Sequence, residues 1–259
     1  MGVTFIFLVV GFMVSFLATI TGISGGIILM PVLVIILAKN GAAESLHLAI
    51  NTSLVIILLN SLINMYQQNR AGRINWSFTL QILPGAFIGV MIGVLLRNII
   101  SPNNTLVIAG LLLLFLAVMT LYNLTKAIGN IALSVQKTFG LATLIGIPTS
   151  YIGIGGGSVL VPVFNFAGAN LGKVIGSAAT LSAFTSLVTI VSFMSISRIT
   201  NSTFDFDHLA ILIIFPSMFV GAVLGSKLLT KMSLANAKTV LALVLVCMGS
   251  ILLIKGLFS

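Results

Sequence analysis

The sequence predicts an all-α polytopic membrane protein made of two inverted repeats, each with about five helical segments. Three observations carry that expectation. Hydrophobic residues form 59% of the 259-residue chain and charged residues only 6%, too few to keep a soluble surface of this size wet. Apolar runs of roughly 18–20 residues recur along the whole length, and they are continuous rather than alternating, which favours membrane helices over a β-barrel. Finally, residues 22–31, Gly-Ile-Ser-Gly-Gly-Ile-Ile-Leu-Met-Pro, return 131 residues later as Gly-Ile-Gly-Gly-Gly-Ser-Val-Leu-Val-Pro at 153–162. Each copy breaks an apolar helical run with glycines and then restarts a helix.

The elements follow in order. Residues 4–20 form the first apolar run. No Lys or Arg precedes Lys39, so the run lacks the basic leader of a secretory signal and reads as a retained helix. After the first break come a short helix at 27–38, a loop at 39–47, and helices at 48–67, 76–96 and 105–123. Residues 125–136 join the halves. The second half repeats the plan: 137–151, the second break, then 159–167, 176–197, 207–228 and 234–257. Other anchors keep nearly the same offset. Ala-Ile-Asn-Thr at 49–52 aligns with Ser-Ala-Ala-Thr at 177–180, Arg70 with Arg198, and Pro84, Gly89 and Gly93 with Pro216, Gly221 and Gly225. The repeats are therefore residues 1–126 and 127–259.

Parity sets their relative orientation. The pieces flanking the first break span ~46 Å at 1.5 Å per residue, against ~60 Å for two full crossings. Either both cross with the break sunk below the surface, or both form a re-entrant pair. Both cases give an odd number of crossings per half and so an inverted second half, the arrangement of many secondary transporters; a crossing by only one piece would instead make the repeats parallel. Loop charges set the sidedness. Arg70, Arg73, Lys126, Lys137, Lys173, Lys227, Lys231 and Lys238 fall on one side, and Lys39, Arg97, Arg198 and Lys255 on the other. The richer side is expected in the cytoplasm of a cell (inner) membrane protein, leaving both termini outside it.

Consecutive glycines followed by proline unwind a helix, and irregular backbone at membrane depth is tolerated only where it lines a cavity or is buried in protein. Gly25, Gly26 and Ile27, with Gly156, Gly157 and Ser158, then open new helices whose first N–H groups lack intrahelical partners and face the positive dipole end. Ser24 and Gly155 flank them. Asn51, Thr52, Ser53, Thr180 and Ser182 stand at the start of the following helices and can complete a cradle for a small anion. Two such ends with hydroxyls reach ~4 kcal/mol, about millimolar binding, which suits a carrier that must release its cargo. Polar stripes Ser53, Asn60, Asn64, Gln67 and Ser182, Thr185, Thr189, Ser192 lie at helical spacing, where the plain role is glue between helices. Gly89/Gly93 and Gly221/Gly225 have the spacing of close helix packing.

Several chemistries are disfavoured. Glu44, Asp205 and Asp207 are the only acids and all fall in expected loops, with His47 and His208 at helix edges. A carboxylate proton relay, a metal cluster or a catalytic triad therefore lacks its residues, which argues against an enzyme and implies no cofactor. The +9 net charge sits in loops and points to no nucleic acid; its partner is the lipid bilayer. Lone Cys247, on an apolar helix, is expected to be a buried, inert thiol.

These motifs resemble the sulfite exporter TauE/SafE family. Its Gly-rich break followed by Pro is similar to 22–31 and 153–162. Its Ala-x-x-Thr-Ser-Leu element is similar to Ala-Ile-Asn-Thr-Ser-Leu at 49–54 and to Ser-Ala-Ala-Thr-Leu-Ser at 177–182, where Leu181 replaces the expected Ser. Its basic-Gly-x-x-Asp/Asn-Trp loop is similar to residues 70–76. The resemblance implies transport of sulfite, sulfoacetate or other organosulfonates. A passive anion channel and a non-transporting membrane scaffold are the other readings.

Overall fold

The computed structural model describes residues 2–21, 25–37, 42–97, 99–125, 133–169, 171–199, 204–229 and 234–258. Ten helices account for nearly all of them: α1 Gly2–Thr21, α2 Gly26–Ile36, α3 Ala42–Arg70, α4 Trp76–Leu96, α5 Pro102–Thr125, α6 Val135–Ile152, α7 Gly156–Phe166, α8 Leu171–Ile199, α9 His208–Leu229 and α10 Leu234–Phe258. Every expected segment is present, and no strand occurs among the described residues. Helices α3, α4, α5, α8, α9 and α10 are long and apolar enough to cross a membrane. Their outward faces carry large apolar side chains such as Leu80, Phe115, Leu212 and Leu243, as contact with lipid requires.

The halves match in length as well as in motif. Both α2 and α7 have 11 residues, and both α3 and α8 have 29. Eleven residues rise only ~16 Å, about half the hydrocarbon thickness, so α2 and α7 are half-helices ending inside the protein. In contrast, α3 and α8 rise ~43 Å each and outrun a bilayer core.

Packing pairs the halves with each other. The most extensive contacts join α5 to α10, α4 to α6, α1 to α9 and α3 to α8. Glycines set the closeness. Gly85, Gly89 and Gly93 of α4 lie against the backbone carbonyls of Phe139, Thr143 and Ile147 of α6, so these helices run the same way. Gly11 of α1 meets Ile214, while Gly221 and Gly225 of α9 meet Phe12 and Phe16, again in the same sense. On α5 and α10 the numbering opposes: Asn103 meets Gly256, Gly110 meets Gly249 and Leu253, and Leu114 meets Gly249.

Three expectations need correction. Glu44 and His47 lie inside α3, not in a loop or at a helix edge, because α3 starts at Ala42. Lys255, counted with the loop charges though inside the expected helix 234–257, donates from Nζ to the Val34 carbonyl at 2.9 Å, near the C-terminal end of α2 where a cation is favoured. Cys247 is exposed on the outer face of α10 rather than buried.

A Cβ at Gly89 runs into the Thr143 carbonyl and lies 2.9 Å from the Gly146 Cα. Gly89→Val is therefore expected to lower stability by about 1–3 kcal/mol through forced separation of α4 and α6. Gly140→Ala, whose Cβ meets nothing within 4 Å, is expected to be neutral or stabilising. Thermal unfolding in detergent compares the two.

Candidate functional site: two helix breaks in the protein interior

The two breaks meet. Gly25 and Gly26 are buried, as is the whole stretch 153–160. Gly26 lies directly on the Ile154 carbonyl of the second break, with the Ile57 side chain beside it. Gly153 ends α6 in the left-handed conformation, φ 78°, its N–H on the Thr149 carbonyl at 3.0 Å. Only glycine takes that geometry without strain, and a Cβ there would also sit 2.8 Å from Ile50. Gly155 has φ 75° and sets the turn into α7.

The two helix starts are finished differently. At α7, Gly156 N–H donates to Thr185 Oγ1 at 3.0 Å and Gly157 N–H to Ser182 Oγ at 2.8 Å, while Ser158 N–H bends back to the Gly155 carbonyl at 3.3 Å. Helix α8 thus supplies the cap that the glycines lack. Ser158 Oγ, buried, donates to the Ile154 carbonyl at 3.0 Å. At α2 no side chain caps the helix: Gly25 is itself helical, φ −61° and ψ −9°, and Gly26 and Ile27 N–H meet no acceptor among the described residues. The duplication explains the contrast. At an offset of 128, Ser182 and Thr185 correspond to Leu54 and Ile57, which offer no oxygen. Buried amides without an acceptor each cost about 1–3 kcal/mol, and the α2 end is their positive pole.

The other expected site residues divide between the break and its surroundings. Ser53 Oγ donates to the Gly153 carbonyl at 2.8 Å and to its own Ile50 carbonyl at 2.8 Å, tying α3 to the second break. Thr52 Oγ1 instead accepts from Asp207 N–H at 2.9 Å, ahead of α9. Asn51 Nδ2 donates to the Asp205 carbonyl at 2.8 Å. Thr180 lies roughly 150° round α8 from the face that caps α7, and its buried hydroxyl has no partner among the described residues. Ser24 lies outside the described residues.

Composition did not single out the group two residues along α3 from Ser53. Arg97, just past α4 and half-buried, donates from Nε and Nη2 to His47 Nδ1 at 2.9 and 2.7 Å and from Nη1 to Asn51 Oδ1 at 3.0 Å. Its guanidinium carbon stands 4.1 Å over the ring of Phe193, from α8. Burial pulls Arg97 down to about 9, which leaves it protonated at neutral pH. Read as a loop charge, it is in fact folded onto the start of α3. Thr185 was legible only as one member of a polar stripe; its role as a cap needs the contact with α7. Chemically, the interior offers amide and hydroxyl donors with one cation nearby, a set suited to oxyanions.

The comparisons with known proteins agree on the class. Over 253 residues the chain is 24% identical to a probable membrane transporter protein of Methanocaldococcus jannaschii, covering 95% of this chain and 94% of that one. It is 27% identical to a probable membrane transporter protein of Xylella fastidiosa, covering 86% and 84%, and 29% identical over 66% of each chain to one from Haemophilus influenzae. No solved structure matches it.

If α8 caps α7, Ser182→Ala leaves Gly157 N–H buried without an acceptor and lowers stability by about 1–3 kcal/mol. Ser192→Ala, on the same stripe but reaching only Met91 Sδ at 3.7 Å, is expected to change it by less than about 0.5 kcal/mol. Melting temperatures of the two variants in the same detergent check this.

The description "Sulfite exporter TauE/SafE" matches residues 7–252, and the chain belongs to that family of membrane proteins.

Proposed function

We propose that this chain transports small sulfur-containing oxyanions, sulfite or organosulfonates, across the cell membrane. The anion rests between the two repeats on the N-terminus of α2. The observation that carries this reading is the pair of buried amides, Gly26 and Ile27, that no described acceptor satisfies at the positive end of an uncapped helix. An oxyanion supplies the missing acceptors, and charge-assisted bonds to backbone amides are stronger than neutral ones. The second break contributes shape: Ser53 holds the Gly153 carbonyl and Ser158 the Ile154 carbonyl, which lies against Gly26.

The mechanism follows from how the halves fit together. In the duplication α1 corresponds to α6 and α9 to α4, so the α1/α9 and α6/α4 pairs are one arrangement formed twice. Helices α5 and α10 correspond to each other and pack in opposite senses. An inverted repeat has that property; a repeat about the membrane normal would align them. Rocking of one half against the other then exposes the α2 site to each side in turn. The excess of basic loops on one side supports a cytoplasmic assignment for it, with both termini opposite. No chemical conversion is needed, which fits a carrier rather than an enzyme.

Thermal shift in detergent tests the substrate. At a ligand concentration 100-fold over Kd, stabilisation reaches ~2.7 kcal/mol, a rise of about 5–11 °C for a chain of this size. Sulfite and methanesulfonate are expected to raise the melting temperature more than chloride does. Equal shifts would remove the assignment. Ile57→Thr, which gives α3 the hydroxyl that α8 uses to cap its own half-helix, is expected to weaken sulfite binding by competing for Gly26 N–H. Unitary currents of channel size in planar bilayers would replace the carrier by a passive channel.

A further inference from the structure

Arg97 is a cation placed where a structural role alone leaves too much unexplained. It forms no ion pair among the described residues. Of the acids whose side chains are described, Asp207 Oδ1 caps α9 by accepting from Ala210 N–H at 2.8 Å, and exposed Asp205 offers its backbone carbonyl to Asn51; the side chain of Glu44, three residues before His47, lies outside the described set. A partly buried cation without a counter-charge among the described residues is costly to keep, and stacking on Phe193 with bonds to two neutral side chains offsets only part of that.

A guanidinium carries five N–H donors. Nε and one N–H of Nη2 converge on His47 Nδ1, which as an acceptor carries no proton, and one N–H of Nη1 goes to Asn51 Oδ1. Two remain, one on each terminal nitrogen, and can donate to the oxygens of a carboxylate, sulfite or sulfonate. His47, Asn51 and Phe193 fix the plane of the fork, so little freedom is lost when a ligand arrives.

The duplication supplies an internal control. At the matching offsets His47 becomes Ile175, Asn51 becomes Ala179 and Arg97 becomes Leu229. The whole cluster therefore exists in one half only. It sits at the end of the bundle where α3 begins, α4 and α8 finish and α9 starts. Along α3 it is joined to the break, because Asn51 holds Arg97 and Ser53, two residues on and ~3 Å further along the axis, holds the Gly153 carbonyl.

We propose that Arg97 forms a separate oxyanion subsite at this one end, where the anion binds across its two unused N–H groups before or after occupying the helix break. This deepens, and rests on, the reading of the chain as an anion transporter. It also makes the two ends unequal, since Leu229 stands at the matching position of the second half.

Purified protein in detergent is titrated with sulfite, methanesulfonate, acetate, phosphate and chloride, following the melting temperature of the wild type, Arg97→Gln and Arg97→Lys. The expected result is a loss of at least tenfold in apparent sulfite affinity for Arg97→Gln and a smaller loss for Arg97→Lys, which keeps the charge but not the fork. The weak chloride response should not change. Wild-type affinity in Arg97→Gln overturns the subsite while leaving the transport proposal intact. Stabilisation of the wild type by acetate or phosphate alone, lost in Arg97→Gln, keeps the subsite and removes the sulfur substrate. A wild type that no oxyanion stabilises overturns both. If Arg97→Gln does not fold, Arg97→Lys decides: unchanged sulfite affinity in that variant rules out the bidentate fork.

Discussion

The structure turns on a contact between two pieces of irregular backbone, Gly26 against the Ile154 carbonyl, deep inside a protein whose outer faces are apolar. Polar backbone in such a place must be satisfied from within, because lipid offers nothing. The consequences reach outward. Glycine is required where α6 ends, since φ is positive at Gly153 and side-chain volume would strike Ile50. Hydroxyls are required on the face of α8 that meets α7. Long α3 packs on α2 and long α8 on α7, and on them the buried polar side chains concentrate, from Asn51, Thr52 and Ser53 to Ser182, Thr185 and Thr189. The remaining helices pack through glycine-mediated contacts that hold the halves together.

The two halves share one sequence plan and differ in detail. Both halves kept the break, the half-helix and the long helix that follows, with equal lengths. They differ in who satisfies the half-helix. The second half closes its own through Ser182 and Thr185, a fully protein-internal solution. The first half has Leu54 and Ile57 in those places, and its Gly26 and Ile27 amides meet no acceptor among the described residues. On the proposed reading, one half is then a finished structural support and the other a receptor. The same division of labour appears at Arg97, His47 and Asn51, which have no polar counterparts in the second half.

Much of the fold could be read from the chain because membrane helices announce themselves by length and hydropathy, and because a repeat checks each boundary twice. The limits of α4, 76–96, agree in sequence and structure, and the helix restarts at Gly26 and Gly156 follow from the glycines themselves. The ends of α3 and α8 were placed too far inward. Glu44, Ser45 and His47 depress hydropathy, yet nothing in Ala-Ala-Glu-Ser-Leu opposes a helix, and propensity with tertiary packing carries α3 back to Ala42. The site was harder to see for a different reason. That α8 caps α7 depends on which face of a helix meets which neighbour, and Thr180, a better motif match than Thr185, points elsewhere. Arg97 looked like any loop charge because its partners, His47 and Phe193, lie 50 and 96 residues away in sequence. Cys247 was misplaced because an apolar helix in a membrane buries only one face in protein and gives the other to lipid.

The most direct measurement is an experimental structure of the protein with selenite, the heavier analogue of sulfite, located by the anomalous signal of selenium. An anion held by the first half-helix places the selenium in the interior, within hydrogen-bonding reach of the Gly26 and Ile27 amides and beside the second break. Selenium found only at the surface, or a cation bound between the breaks, would contradict it.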